Sequence, residues 1–127
     1  MLDRLRKNID VIALLVWCGG IFIFSSIPSL SSGFKEDFLL RKIAHVSEYA
    51  VLTYLFFNVL RNRSHDERFN IYFSALASLA YAFTDEVHQT FVPGRSGNFF
   101  DIGIDSVGIV IAVLAILALK RFWDRTQ

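Results

Sequence analysis

Three short runs of ionisable residues carry the chemistry available in this sequence, and each adjoins an apolar stretch. The first holds Lys42, His45, Glu48 and Tyr49, the second Asp85, Glu86, His88 and Gln89, and the third Asp101 and Asp105. Lys42, His45 and Tyr49 recur at i, i+3 and i+7, so a helix puts them on one face, and Glu48, three past His45, can join it. Asp85 and Gln89 are four apart, Glu86 and Gln89 three apart, and Asp101 and Asp105 four apart. Three such stripes facing one another offer carboxylates, an imidazole, an ammonium and an amide. That set suits proton exchange, with His45 as acid or base and Asp85 or Glu86 as its partner. Lys42 and Arg95 suit a phosphate or other anion. Tyr49, Gln89, Asp101 and Asp105 complete the expected binding surface. His88 falls off the stripe and reads as peripheral, and Asn98 as a helix N-cap.

Other chemistries find less support. His45 with Asp85, Glu86, Asp101 or Asp105 offers nitrogen and oxygen ligands to a divalent metal. No familiar ligand spacing such as His-Glu-x-x-His accompanies them, so a metal is not favoured and no ligands are assigned. No serine or cysteine nucleophile adjoins the stripes. The single cysteine, Cys18, lies in an apolar run and reads as a small buried residue. There is no zinc-finger pattern, no phosphate loop and no internal repeat.

The elements that must position these residues are long and apolar. The chain has 127 residues, one domain by length, and its 54% apolar content with thirteen Phe points to lipid as solvent. A net charge of +1 gives no general case for nucleic acid. Four segments approach the ~20 residues needed to cross a bilayer, at about 9–27, 36–60, 69–91 and 98–120. Turn residues separate them: Pro28 to Lys35 with its serines and Gly33, the polar stretch Arg61 to Arg68, and Pro93, Gly94 and Gly97 around Arg95. The first segment also has the charged start and apolar core of a signal peptide. Three further apolar segments follow it, and no clean small-x-small cleavage pattern is present, so an anchor is expected.

Two arguments give the topology. Arg4, Arg6 and Lys7, then Arg61, Arg63 and Arg68, then Lys120, Arg121 and Arg125 fall on one side of an up-and-down bundle. The positive-inside rule puts that side, with both termini, in the cytoplasm. The second helix is polar at its start, the third at its end and the fourth at its start, so all three polar halves meet on the outer side. Asp85 and Asp105 lie about 9 Å inside their helix ends at ~1.5 Å per residue. A charge at such depth costs at least ~2.5 kcal/mol unless paired or hydrated. These groups must therefore face a shared interior, with Arg41, Lys42 and Arg95 as counter-ions. The plainer alternative is a polar glue between helices with no ligand.

At this point the residues resemble a known family. Arg41-Lys42-Ile43-Ala44-His45 with Tyr49, Ala82-Phe83-Thr84-Asp85-Glu86-Val87-His88-Gln89, Phe91-Val92-Pro93-Gly94-Arg95, and Asp101 and Asp105 followed by Gly108 are similar to the VanZ-like family, as are Ser25, Ser26 and Pro28. The family's last motif commonly has Asn where this chain has Asp105. The resemblance implies a bacterial protein of the cytoplasmic membrane with four helices. It also implies an association of some members with low-level resistance to the glycopeptide teicoplanin. It does not imply a settled activity.

Three functions follow as expectations. An intramembrane enzyme would act on an anionic envelope lipid or a lipid-linked cell-wall component. A binding protein would hold such a molecule, or a glycopeptide, without turnover, using the basic residues and an aromatic rim of Tyr49, Phe91, Phe99 and Phe100. An ion-coupled carrier would use the acids and His45 as a relay.

Overall fold

The structure, a computed structural model, describes residues 2–28, 35–95 and 97–126. These form four α-helices: α1 (Leu2–Ser26), α2 (Lys35–Arg61), α3 (Glu67–Gln89) and α4 (Phe99–Thr126). Each expected segment is a helix, with ends shifted where local chemistry dictates. α1 runs back through the charged N-terminal residues, since nothing there breaks it, and α4 runs on to Thr126. α3 begins two residues early because Asp66 caps it, its side chain accepting from the Phe69 N–H at 3.1 Å. α3 ends before Pro93, and Gly94 takes φ 76°, the left-handed turn that favours glycine. The expected loop from Ser29 to Lys35 lies, up to residue 34, outside the described residues.

Contacts at both ends show an up-and-down arrangement. At one end, Asn62 of the α2–α3 turn bonds Asp10 of α1, and Lys120 of α4 pairs with Glu67 of α3. At the other, the start of α2 meets the end of α3 and the start of α4. α2 and α4 approach most closely. A Cβ built on Gly108 would lie 2.2 Å from the Val46 carbonyl oxygen, so the two backbones touch there and only glycine fits. α1 packs against α2 and α3. Trp17 Nε1 donates to the Glu48 carbonyl at 3.0 Å, and the Tyr81 hydroxyl donates to the Cys18 carbonyl at 2.7 Å.

Three helices are long and apolar enough to cross a membrane: Arg4–Ser26, Leu39–Arg61 and Phe99–Thr126. α3 is not among them, and its burial pattern explains why. Its buried residues are Asn70, Ser74, Ser78, Ala82, Asp85, Glu86 and Gln89, all small or polar. Its large apolar residues, including Tyr72, Leu76, Leu79 and Phe83, face outward. The helix is polar inside and apolar outside, the reverse of a helix in water. Midway along, the buried Thr53 Oγ1 lies 2.9 Å from the buried Ser78 Oγ, joining α2 to α3 through hydroxyls.

Candidate functional site

The first turns of the described part of α2, the end of α3 and the start of α4 bring the ionisable stripes into contact. His45 Nδ1 lies 2.9 Å from Asp105 Oδ1 and donates to it. Asp105 is fully buried, on the α4 face next to Gly108, so the close approach of α2 and α4 sets this pair. The hydrogen bond of His45 thus goes to α4 rather than to Asp85 or Glu86 on α3. Lys42 forms an ion pair with Asp101, one turn nearer the bundle end. Gln89 Nε2 donates to Asp85 Oδ2 at 2.9 Å within α3. Glu86 Oε2 accepts the backbone N–H of Asn98 at 2.9 Å, and the Asn98 side chain accepts the Phe100 N–H at 3.0 Å, as a cap does.

Some buried polar atoms find no partner among the described residues. They include Glu86 Oε1, Asp105 Oδ2, the Tyr49 hydroxyl and Ser25 Oγ. A buried acceptor left unsatisfied costs about 1–3 kcal/mol, and more when charged. Ligand atoms of His45, Glu86 and Asp105 all lie within 4.8 Å of one another. These three are the described residues that could hold a metal ion.

Beside this cluster is a cavity of about 460 Å³ between α1, α2 and α3. Four expected site residues line it: His45, Asp85, Gln89 and Arg95. Its apolar wall comes from Ile21, Phe24 and Ile27 of α1 and its neighbouring turn. Arg41, Glu48 and Ser25 also line it, although the spacing argument assigned them no binding role. The signal for Ser25 was available: α1 ends on the same side as the polar halves of the other helices. Glu86 does not line this cavity; it lines a separate space of about 70 Å³ with Gly97 and Asn98. Gly97 is fixed there by contact, since a Cβ would sit 2.3 Å from the Glu86 carbonyl oxygen. Tyr49 is fully buried beneath the site and lines neither space. Lys42 and Asp101 engage each other on the α2–α4 side.

Arg95 and His88 fasten α1 to this end. Arg95 donates from Nε to the Ile27 carbonyl at 2.9 Å and from Nη2 to the Phe24 carbonyl at 2.8 Å. These are carbonyls that the end of a helix leaves open. Nη1 of the guanidinium takes no part in either bond. Burial, and then the like charge of Arg41, lower the Arg95 pKa from its ordinary value. Two guanidinium groups therefore lie close together at one cavity. The Ser26 hydroxyl donates to the Phe22 carbonyl at 2.7 Å, so His88 Nε2, 2.9 Å away, is the donor to Ser26 Oγ. The His88 ring stacks on Phe22 with centroids 4.5 Å apart. His88 is a tie between α1 and α3, outside the cavity lining.

The arrangement can hold an amphiphile by its polar end. Paired arginines attract an anion, an imidazole held by a carboxylate can exchange a proton, and the α1 wall accepts hydrocarbon. A family model described as VanZ/LLP1 matches residues 10–120, a span that contains every site residue named above. No curated protein and no solved structure matches the chain.

Proposed function

The chain belongs to the VanZ/LLP1 family, and from that premise we propose that this membrane protein takes the anionic head group of an envelope lipid, or of a lipid-linked cell-wall component, into the cavity beside His45. One observation carries the reading: Arg41, Arg95 and His45 line the same cavity as the apolar wall of α1. Two guanidinium groups side by side repel each other, and an anion between them relieves that cost. His45 meets the bound molecule from the cavity wall, oriented by its bond to Asp105.

In the same reading α3 crosses the bilayer as the fourth span. At ~1.5 Å per residue its 23 residues extend ~35 Å, enough for the hydrocarbon core. Its outward apolar face suits lipid, and its inward polar row is covered by its neighbours. Both termini lie in the cytoplasm of a bacterial cell and the cavity opens in the outer half of the plasma membrane. The basic residues that flank Asn62 and Lys120, at the end remote from the cavity, support that orientation. A contribution to teicoplanin tolerance is the corresponding cellular role, since that glycopeptide acts on the envelope.

Native mass spectrometry of protein released from mild detergent tests the reading. The wild type should retain a phosphate-bearing lipid that Arg41→Ala and His45→Ala release. Variants equally stable and still carrying the same lipid would remove both the cavity and His45 from the account. Expression of wild type and His45→Ala in a teicoplanin-sensitive host separates the cellular role from the binding, because only the former changes growth inhibition.

A further inference from the structure

We propose that His45, Glu86 and Asp105 form a binding site for one divalent transition-metal cation of the zinc or manganese class. Three helices supply the ligands: α2 gives an imidazole, and α3 and α4 each give a carboxylate. Their donor atoms lie within 4.8 Å of one another. With metal–ligand bonds of about 2.1 Å, two ligands on one ion sit about 3.0–4.2 Å apart. Donor atoms within 4.8 Å of one another therefore stand near that spacing, and side-chain rotations can bring them onto one ion.

The unsatisfied atoms are an independent pointer. Glu86 is 4% exposed and Asp105 fully buried, and each keeps one carboxylate oxygen without a partner among the described residues. Their other oxygens are already engaged. Glu86 Oε2 accepts from the Asn98 N–H, and Asp105 Oδ1 holds His45. Each carboxylate is thus oriented by one oxygen and offers the other. The bond from Asn98 is an outer hydrogen bond of the kind that fixes metal ligands in place, whereas the His45–Asp105 bond joins two ligands of the proposed site. Lys42 pairs with Asp101, and Arg95 donates to carbonyls at the end of α1. A divalent cation supplies the charge that two buried carboxylates need.

The donor set selects the ion. Imidazole with two carboxylates is a mixed nitrogen and oxygen set, suited to zinc or manganese and less to magnesium, which prefers oxygen and retained water. Three protein ligands leave coordination positions open, as in sites that act on a bound molecule. The ligand cluster stands on these side chains alone. What the ion would do, drawing a phosphate oxygen of the bound molecule towards it, rests on the head-group reading above.

Elemental analysis of detergent-purified protein tests the site without any lipid. The protein is stripped with chelator, incubated with Mn²⁺ or Zn²⁺ and dialysed. One ion per chain is expected for the wild type and for Asp85→Asn, whose carboxylate is bonded to Gln89 outside the triad. Glu86→Gln and Asp105→Asn should retain a tenth or less. Thermal unfolding supplies the second readout: added Mn²⁺ should raise the wild-type melting temperature and leave that of Glu86→Gln unchanged. A folded wild type with no stoichiometric ion and no shift overturns the site. Equal loss of the ion in Asp85→Asn overturns the assignment of these ligands. Lipid retention by mass spectrometry, with or without the ion, reports separately on the head-group reading.

Discussion

Gly108 of α4 lies against the carbonyl of Val46 in α2, so closely that a Cβ on the glycine would stand 2.2 Å from that oxygen. Val46 follows His45, and Gly108 lies three residues after Asp105, on the same helix face. The backbone contact therefore sets the distance at which His45 reaches Asp105, 2.9 Å. A backbone contact that uses no ionisable side chain thus sets the chemistry one turn away.

Gly108→Ala should accordingly damage the site and the fold together. The added methyl group has only backbone atoms to displace, so α2 and α4 must separate, at a cost of about 1–3 kcal/mol. Gly103, five residues earlier in the same helix, has open space where its Cβ would be. Gly103→Ala should be neutral or stabilising by up to ~1 kcal/mol through helix propensity. Thermal unfolding of the two variants in one detergent makes the comparison. Equal melting temperatures would mean that the helices do not touch at Gly108.

Asp105→Ala and Asp105→Asn should differ in the same assay. The alanine variant leaves the His45 N–H without an acceptor in a buried place, at about 1–3 kcal/mol. The amide oxygen in D105N still accepts that bond and fills nearly the same volume. With metal removed by chelator from all three proteins, D105N should melt close to the wild type, and D105A several degrees lower. An unchanged melting temperature in D105A would show that the fold does not depend on this bond.

Much of this was legible in the sequence, and the reasons are specific. Periodicity placed Lys42, His45 and Tyr49 on one face, and Asp101 with Asp105 on another. Alternation of polar halves brought α2, α3 and α4 together at one end, as the Lys42–Asp101, His45–Asp105 and Glu86–Asn98 contacts show. Partner choice was not legible. Spacing within a helix says nothing about which facing helix comes nearest, and that depends on Gly108. The same limit hid the triad of His45, Glu86 and Asp105, whose members come from three helices. Arg95 was readable as a cation in a tight turn. Its hold on the carbonyls of Phe24 and Ile27 depends on where α1 ends relative to that turn.

Arg95→Lys should fail to preserve the end of α1. The guanidinium reaches two carbonyls from two nitrogens in a fixed fork, which a single ammonium does not reproduce. A charged hydrogen bond contributes about 1.5–3 kcal/mol when buried, and less here because Arg95 is half exposed. Amide exchange in residues 22–27 should quicken roughly tenfold in R95K, the change that about 1.4 kcal/mol produces. Exchange should stay slow near Trp17, whose bond to the Glu48 carbonyl anchors α1 independently. Unaltered exchange at the end of α1 would free Arg95 from this duty.

The membrane orientation depends on whether α3 crosses, and a labelling experiment decides both. Cys18 is the only cysteine, so Cys18→Ser gives a clean background. Ser64→Cys probes the turn between α2 and α3, and Phe91→Cys, at a residue 80% exposed, probes the turn after α3. If α3 spans the bilayer with both termini inside, a membrane-impermeant maleimide added to intact cells labels F91C and spares S64C until the membrane is opened. Labelling of S64C alone would invert the topology and place the cavity on the cytoplasmic side. Equal labelling of the two from one side would mean that α3 does not cross. Its polar row of Asn70, Ser74 and Ser78 would then face a three-span protein from outside the hydrocarbon.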